Sequence, residues 1–367
     1  MDGQENRRVA IVTHRLNVYS ETFIHAQIEL LPADIVLHNG RMPSMVGNKF
    51  ILSNAKKEIN KFTKIFFKTE LFTLANAISH LLEKERIDVV LAQYGPVGVS
   101  LLPLCIKSEI PLVVHFHGFD ASHFETLRKN AEGYKSLFKY AKAIIVVSEK
   151  MSVQLQTLGC PPEKLVLNHY GVNSFFYSIK PDFTSDTFLA VGRFVEKKGP
   201  EFTIRAFAKL VDRYPLAQLF MAGDGPLLSH CKLLVQELAM TKNIFFPGIL
   251  KHEMVAGFMQ KSIAFVQHSV VASTGDSEGT PVAIMEASAA ALPVIATLHA
   301  GIPDVILDGV TGILVPEKDI DLMADAMLKL ILDKTLAKRM GEAGRERMKT
   351  HFSMERYIKV LRNTLEA

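Results

Sequence analysis

The sequence predicts an α/β protein built as two doubly wound, Rossmann-like domains, each a parallel sheet with helices on both faces. Three observations predict it. Short apolar, β-branched runs alternate along the whole chain with longer segments of helical period, the pattern of repeated strand–helix units. That pattern restarts once, after Gly171-Val172-Asn173. A chain of 367 residues also exceeds what one hydrophobic core usually supports, so two are expected.

In the first half, the apolar runs Val9–Thr13, Ile35–His38, Val89–Ala92, Leu112–Phe116 and Ile144–Ser148 are too short for helices and read as buried strands. Helical periodicity fills Thr22–Leu30, Leu71–Glu85 and Thr126–Tyr140 between them. In the second half the strands fall at Thr187–Val191, Ala217–Ala222, Ile244–Phe246, Ala264–Gln267, Pro293–Thr297 and Gly312–Val315. Helices are expected at Pro200–Asp212, Pro226–Leu238, His252–Gln260, Val282–Ala290 and Asp319–Leu332. The junction lies in the Pro/Gly/Asn/Ser-rich stretch 160–186, giving domains over residues 1–175 and 176–350. Residues 351–367 close the chain as an amphipathic helix, with Tyr357, Val360, Leu361 and Leu365 repeating on one side. Ligands of open α/β sheets bind beyond the carboxyl ends of the strands, so two such domains facing each other would share one site in the cleft between them.

Bulk properties narrow the class. With 48% hydrophobic and 22% charged residues and no low-complexity run, the chain is not intrinsically disordered. A net charge of +4 is too mild to imply nucleic acid as a partner. Cys105, Cys160 and Cys231 stand too far apart for a metal or redox motif and suit a reducing compartment. The N-terminal run Met-Asp-Gly-Gln-Glu-Asn-Arg-Arg is polar and acidic, unlike a secretory leader. No apolar run approaches the roughly eighteen residues that span a bilayer. Together these point to the cytoplasm or the cytoplasmic face of a membrane. From Lys49 to Lys68 six lysines accompany one acid. As a helix this segment would place Ala55, Ile59, Phe62 and Phe66 opposite Lys57, Lys61, Lys64 and Lys68, so it reads either as a contact with an anionic membrane or as a surface helix packed on its own domain.

The chemistry-bearing residues sit at predicted strand ends and helix starts. In Ser277-Glu278-Gly279-Thr280-Pro281-Val282-Ala283-Ile284-Met285-Glu286, two carboxylates bracket a turn and the first turns of a helix. Pro281 suits the first helical position, Thr280 is placed to cap, and the amides of Val282 and Ala283 would point outward as an anion site. Such a cradle fits two phosphates flanked by hydroxyl-bearing sugars; the bland alternative is an acidic loop capping a buried helix. The strand 188–191 runs into Gly192-Arg193, with Lys198 and the helix-starting Pro200 following. A guanidinium fork and a mobile ammonium together would neutralise a diphosphate, or form only a solvated basic turn. Met221-Ala222-Gly223-Asp224-Gly225-Pro226 lacks the third glycine of a dinucleotide fingerprint and reads as a tight strand-to-helix turn. His115 and His117 share one face at the end of another strand, before Gly118 and Asp120, where imidazole suits a sugar hydroxyl or phosphate. Zinc is a poor fit there, because no closed ligand set is present. Ser20 is placed to cap the helix beginning near Glu21, whose first amides would reach phosphate or an acceptor. Asp319-Ile320-Asp321 reads as a helix start with acids at the positive end of the dipole, not as a metal site.

On these residues the chain resembles the retaining GT-B glycosyltransferases of family four along nearly its full length, most strongly in the second half. Glu278 to Glu286 resembles that family's Glu-x7-Glu motif, and Gly192-Arg193 with Lys197-Lys198-Gly199 its diphosphate-binding turn. Gly223-Asp224-Gly225-Pro226 and Gly301-Ile302-Pro303-Asp304 are similar to further signatures, and His117-Gly118-Phe119-Asp120 to the histidine motif of the acceptor-side domain. Ser20-Glu21-Thr22-Phe23-Ile24 resembles the start of exopolysaccharide and colanic-acid-type transferases. Asn17-Val18-Tyr19 stands where many relatives carry a Gly-Gly phosphate loop, and Asp304 where a glutamate is usual. The resemblance implies a GT-B fold whose closing helix returns to the first domain. It implies metal-independent transfer of a hexose-type sugar from a UDP-sugar, or alternatively a GDP-sugar, to a glycan or lipid-linked glycan. Arg193 and Lys198 would then hold the diphosphate, Glu286 the ribose and Glu278 the transferred sugar. Backbone amides of Gly279, Thr280, Pro281-flanking residues and Val282 would assist, His117 would contact the sugar or orient the acceptor, and the loop at Gly248 would shape base recognition. A nucleotide-sugar epimerase, an NAD-dependent oxidoreductase and a two-lobed binding protein share the architecture and stand as alternatives.

Overall fold

The computed structural model of the chain describes residues 7–16, 18, 19, 21–52 and 66–367, the side chains of 66–72 excepted. It divides into two compact units, Met1–His169 with Tyr357–Ala367, and Tyr170–Arg356. Each is described by itself.

The first unit holds strands β1 (Val9–Val12), β2 (Ala33–His38), β3 (Met45–Val46), β4 (Lys49–Phe50), β5 (Val89–Gln93), β6 (Leu112–His115), β7 (Ala143–Val146) and β8 (Leu165–Leu167). Their order is β4-β3-β2-β1-β5-β6-β7-β8, parallel from β2 to β8, with β3 and β4 added antiparallel at one edge. Strands β1, β5, β6 and β7 are buried at every residue, as expected where helices cover both faces and the sequence shows an unbroken apolar run. The helix Met354–Glu366 completes this unit. It buries Tyr357, Ile358, Leu361 and Leu365, and Asn168 Nδ2 donates to the Tyr357 carbonyl at 3.1 Å. Two expectations change here. Lys49 and Phe50 form an edge strand, not the start of a helix, because residues 45–50 close a hairpin on β2; residues 53–65 of the basic segment lie outside the described residues, and its last three open the helix Phe66–Lys84. The first helix is Thr22–Leu30 with Glu21 at its N-cap and no side-chain cap bond, while Ser20 lies outside the described residues. Among the described residues no helix is long and apolar enough to cross a membrane.

The second unit is a six-stranded parallel sheet of β9 (Thr187–Val191), β10 (Gln218–Ala222), β11 (Ile244–Gly248), β12 (Ala264–Gln267), β13 (Val294–Thr297) and β14 (Gly312–Val315). The order β11-β10-β9-β12-β13-β14 is that of dinucleotide-binding sheets, with the direction of winding reversing between β9 and β12. The carboxyl ends of those two strands therefore diverge and leave room for a ligand. Beneath them, Phe188, Phe207, Leu210, Ile295, Met327 and Leu330 form part of one core.

Two glycines set the floor of that opening. Gly199, at φ +52°, caps the helix Pro200–Arg213, and a Cβ there would meet the His268 carbonyl oxygen at 1.8 Å. Gly223, at φ +138°, lies against the turn after β9, where a Cβ would meet Gly192 O at 1.9 Å. That approach lets the two turns lace together. Gly192 N–H donates to Ala222 O (2.9 Å), Phe194 N–H to Asp224 O (2.9 Å) and Gly223 N–H to Gly248 O (2.8 Å). Gly223→Ala should accordingly lower the unfolding free energy by about 2 kcal/mol, since both left-handed backbone and main-chain overlap oppose the methyl group. Chemical denaturation of the two proteins measures it, and an unchanged midpoint would refute this account of the turn.

Candidate functional site

The opening at the end of β9 is lined by Gly192, Arg193, Phe194, Lys198 and Gln267. The short turn Glu196–Lys198 brings the Lys198 ammonium inward, to 3.0 Å from Glu278 Oε1 and 3.4 Å from Gln267 Oε1. Both charges are largely out of solvent, with side chains 16% and 7% exposed. Burial pushes the Lys198 ammonium below the usual lysine range, against the pull of Glu278. Burial works upward on Glu278, but Lys198 and then Lys197 outweigh it and hold the carboxyl below the usual glutamate range. Each charge thus opposes the desolvation of the other across that one contact. Arg193 is exposed on the same rim, and its guanidinium has no hydrogen-bond or ion-pair partner among the described residues.

The helix Val282–Ala289 starts one residue later than its proline suggests. Pro281 occupies the N-cap with extended backbone (φ −69°, ψ 110°), and Thr280 does not cap. The Pro281 carbonyl accepts from Ile284 (3.1 Å) and Met285 (3.3 Å), so the helix begins without a side-chain cap. The amides of Val282 and Ala283 consequently have no acceptor among the described residues, and with the helix dipole they form an anion-binding end. One turn on, Glu286 differs from Glu278 in every respect. Its carboxyl has no partner among the described residues, and burial pushes it up to about 8. Gly248 closes β11 beside Gly223 at φ +79°.

Several residues with no role assigned from the sequence hold this arrangement. Lys197 Nζ reaches Asp276 Oδ1 (3.0 Å) and Ser277 O (3.3 Å), while Glu196 accepts from Ser273 N–H (2.7 Å) and Oγ–H (2.8 Å). His299 Nε2 accepts the backbone N–H of Glu278 at 3.1 Å, and its Nδ1 meets Glu317 Oε1 at 2.6 Å. The only local signal for Lys197 was its place beside Lys198; for His299 it was a histidine just past β13. Asp319 behaves as its sequence implies, capping the helix Ile320–Leu332 through Leu322 N–H at 2.9 Å.

In the first unit, His117 lies beyond β6 with its ring 4.3 Å from that of His115 and 4.6 Å from those of Phe23 and Tyr94. Its Nε2 meets Gln93 Oε1 at 2.8 Å and therefore carries the proton. Gln93 Nε2 donates to Gln27 Oε1 (2.6 Å), and Gln27 Nε2 donates to Tyr357 Oη (2.6 Å) and lies 3.3 Å from His115 Nδ1. Burial holds His117 well below the usual histidine range, with His115 adding to it, and pushes His115 down to about 3. Both rings are neutral, and the bond to Gln93 places the His117 proton on Nε2. Asp120 is not a metal ligand in this arrangement: it accepts from the amides of Gly95 (2.8 Å), His117 (2.9 Å) and Gly118 (3.1 Å), and so fixes the turn that carries His117. Among the described residues no cluster of three metal-ligating side chains occurs.

Residues 58–174 match the model of Glycosyltransferase Family 4, and residues 176–347 that of Glycosyl transferases group 1. WcaL of Escherichia coli K12, a candidate colanic acid biosynthesis glycosyltransferase, is 30% identical over 77% of this chain and 71% of its own. AmsK of Erwinia amylovora, an amylovoran biosynthesis glycosyltransferase, is 29% identical over 76% and 70% respectively. Among solved structures, Anabaena HepE, crystallised with UDP and glucose, superposes with a TM-score of 0.79 at 15% identity, over 98% of this chain and 99% of its own. That likeness establishes the GT-B fold.

The raised Glu286 acid has a consequence for stability. In the folded chain the carboxyl keeps its proton up to about 8, whereas its ordinary value is 4.5. The stabilisation from tighter proton binding is fully present below 4.5 and is lost as pH rises through 8. Glu286→Gln has no such loss, so its melting temperature should gain on that of the parent from pH 5 to pH 9. Parallel melting curves across that range test this; a constant offset would show that Glu286 is not perturbed.

Proposed function

Because the chain belongs to the glycosyltransferases, we propose that it transfers a hexose-type sugar, with retention of configuration and without a metal, from a nucleoside diphosphate sugar to a glycan or lipid-linked glycan of a surface polysaccharide. A UDP-sugar is the favoured donor and a GDP-sugar the alternative. The observation that carries this is the second unit's switch point. There one buried ion pair, Lys198–Glu278, stands with a guanidinium and two helix amides that have no partner among the described residues. The names of WcaL and AmsK support a polysaccharide product, and the UDP bound to HepE supports a nucleotide donor.

The chemistry follows from the charges. Breaking the anomeric bond leaves a diphosphate with growing negative charge and a sugar with oxocarbenium character. Arg193, Lys198 and the amides of Val282 and Ala283 meet the diphosphate, so the chain itself supplies the needed positive field. Glu278, ionised, accepts from hydroxyls of the transferred sugar and stabilises positive character nearby. Glu286 takes the ribose diol. His117, neutral, accepts a hydroxyl of the acceptor or sugar, and the departing phosphate takes the acceptor's proton on the same face.

A panel of UDP-, GDP- and ADP-sugars, scored by thermal stabilisation and slow hydrolysis, identifies the donor. With that donor, Arg193→Ala and Lys198→Ala should each lower kcat/KM by a factor corresponding to about 3–4 kcal/mol of barrier. Turnover unchanged in both variants would overturn the site assignment, and sugar isomerised without an acceptor would overturn the reaction class.

A further inference from the structure

We propose that His299 is a positioning residue for Glu278, holding the main chain from which that carboxylate is presented to the transferred sugar, with Glu317 fixing the tautomer this requires. The inference rests on the donor-site reading above.

Glu278 is held at two points of different kinds. Its carboxylate is drawn to Lys198 at 3.0 Å, a contact that constrains distance but leaves the stem free to pivot. Its backbone N–H donates to His299 Nε2 at 3.1 Å. A neutral imidazole nitrogen that accepts carries no proton, so the ring's single proton is on Nδ1, facing Glu317 Oε1 at 2.6 Å. The other Glu317 oxygen accepts from Val271 N–H at 3.0 Å. His299 is 1% exposed and rooted just past β13, where its own N–H donates to Thr297 O at 2.8 Å. The ring therefore ties the acidic loop to a strand end of the rigid sheet.

The geometry makes Glu317 indispensable to the acceptor role. If Nδ1 lost its carboxylate partner, the proton would be free to move to Nε2, and two N–H groups would then face each other where one hydrogen bond stood. The loop would move, and with it the carboxylate. Other clamps on the loop, such as Lys197 to Asp276 and Glu196 to Ser273, lie N-terminal of Glu278 and do not touch its amide. Of the groups that meet the diphosphate, Arg193 and Lys198 stand on the turn after β9 and Val282 and Ala283 on their own helix, and none of the four is bonded to His299. A displaced Glu278 should thus weaken recognition of the sugar while leaving the nucleotide diphosphate bound.

Four single variants, His299→Leu, His299→Gln, Glu317→Leu and Glu278→Gln, and the double variant His299→Leu/Glu278→Gln decide the matter. Each is compared for UDP binding by calorimetry and for turnover of UDP-glucose, or for GDP and GDP-mannose should the panel select guanine. His299→Leu and Glu317→Leu should keep the affinity for the free diphosphate within about twofold and lose roughly 10–100-fold in kcat/KM, the scale of a small misplacement of a reacting group. His299→Gln, whose amide oxygen can accept the Glu278 N–H, should recover most of the loss. In the Glu278→Gln background, His299→Leu should have no further effect on kcat/KM. Additive losses, or full activity in His299→Leu and Glu317→Leu while Glu278→Gln is impaired, would overturn the positioning role alone. A fully active Glu278→Gln would instead overturn the donor-site reading. Should one leucine variant fail to fold, the other, with intact diphosphate binding as proof of folding, still decides.

Discussion

The ion pair between Lys198 and Glu278 is the constraint around which the second unit is arranged. Two largely buried opposite charges are tolerated only when each remains the other's partner, and removing one typically destabilises by about 3–5 kcal/mol because the survivor is left uncompensated. The surrounding features keep the two in register. Gly199 lets the helix that follows Lys198 start hard against the His268 carbonyl. Lys197 anchors Asp276 and Ser277 just ahead of Glu278. The lacing of the Gly192 and Gly223 turns fixes the rim from below. A site that must meet a dianionic diphosphate needs cations, and the facing Glu278 carboxylate opposes the push of burial on Lys198.

What was legible in the sequence follows from how far each signal reaches. Strands buried on both faces show as unbroken apolar runs, and Thr187–Val191, Ala264–Gln267 and Gly312–Val315 have the limits their sequences suggest. Strands β3, β4 and β8 did not show, because two or three residues carry no period. The helix Gly95–Lys107 opens on Gly-Pro and contains Pro103, both of which read as a turn. The helix Lys334–His351 hides its buried Leu336, Met340 and Met348 among charges and two glycines. Strand-end chemistry was visible at Arg193, Lys198, Glu278 and His117, since residue type and a nearby turn suffice. The contacts that hold those groups were not. His299 and Glu278 are 21 residues apart, and Lys197 and Asp276 are 79 apart. Periodicity speaks only to neighbours on one element.

Both units use neutral imidazole as a fixed part. In the first, the chain from Tyr357 through Gln27 and Gln93 to His117 gives that ring an Nε2–H and leaves Nδ1 an acceptor. In the second, Glu317 does the reverse for His299, placing the proton on Nδ1. His268 follows the same pattern as His299. Its Nε2 accepts Lys318 N–H at 2.7 Å, its Nδ1 faces the Met323 sulfur at 3.2 Å, and burial pushes it down to about 4. A ring nitrogen that accepts a main-chain amide must carry no proton, and for His268 burial favours that state against the pull of Glu317 and Asp319. The closing helix thus contributes more than packing to the first unit, because Tyr357 terminates the relay that sets the His117 tautomer.

The two acids of the Glu-x7-Glu segment show why residue type alone under-determines a site. Glu278 and Glu286 stand on one short stretch, yet two lysines keep the first ionised while burial without a partner keeps the second protonated up to about 8. An ionised carboxylate is an acceptor only, suited to hydroxyls of a sugar that is gaining positive character. A carboxyl with a proton near neutral pH both donates and accepts, and gains most from a partner that replaces the water it has lost. A vicinal diol is such a partner, since two hydroxyls converge on one carboxyl group. On the proposed reading, the moving sugar falls to Glu278 and the static ribose to Glu286, and the difference between them is set by Lys197 and Lys198, not by the acids themselves.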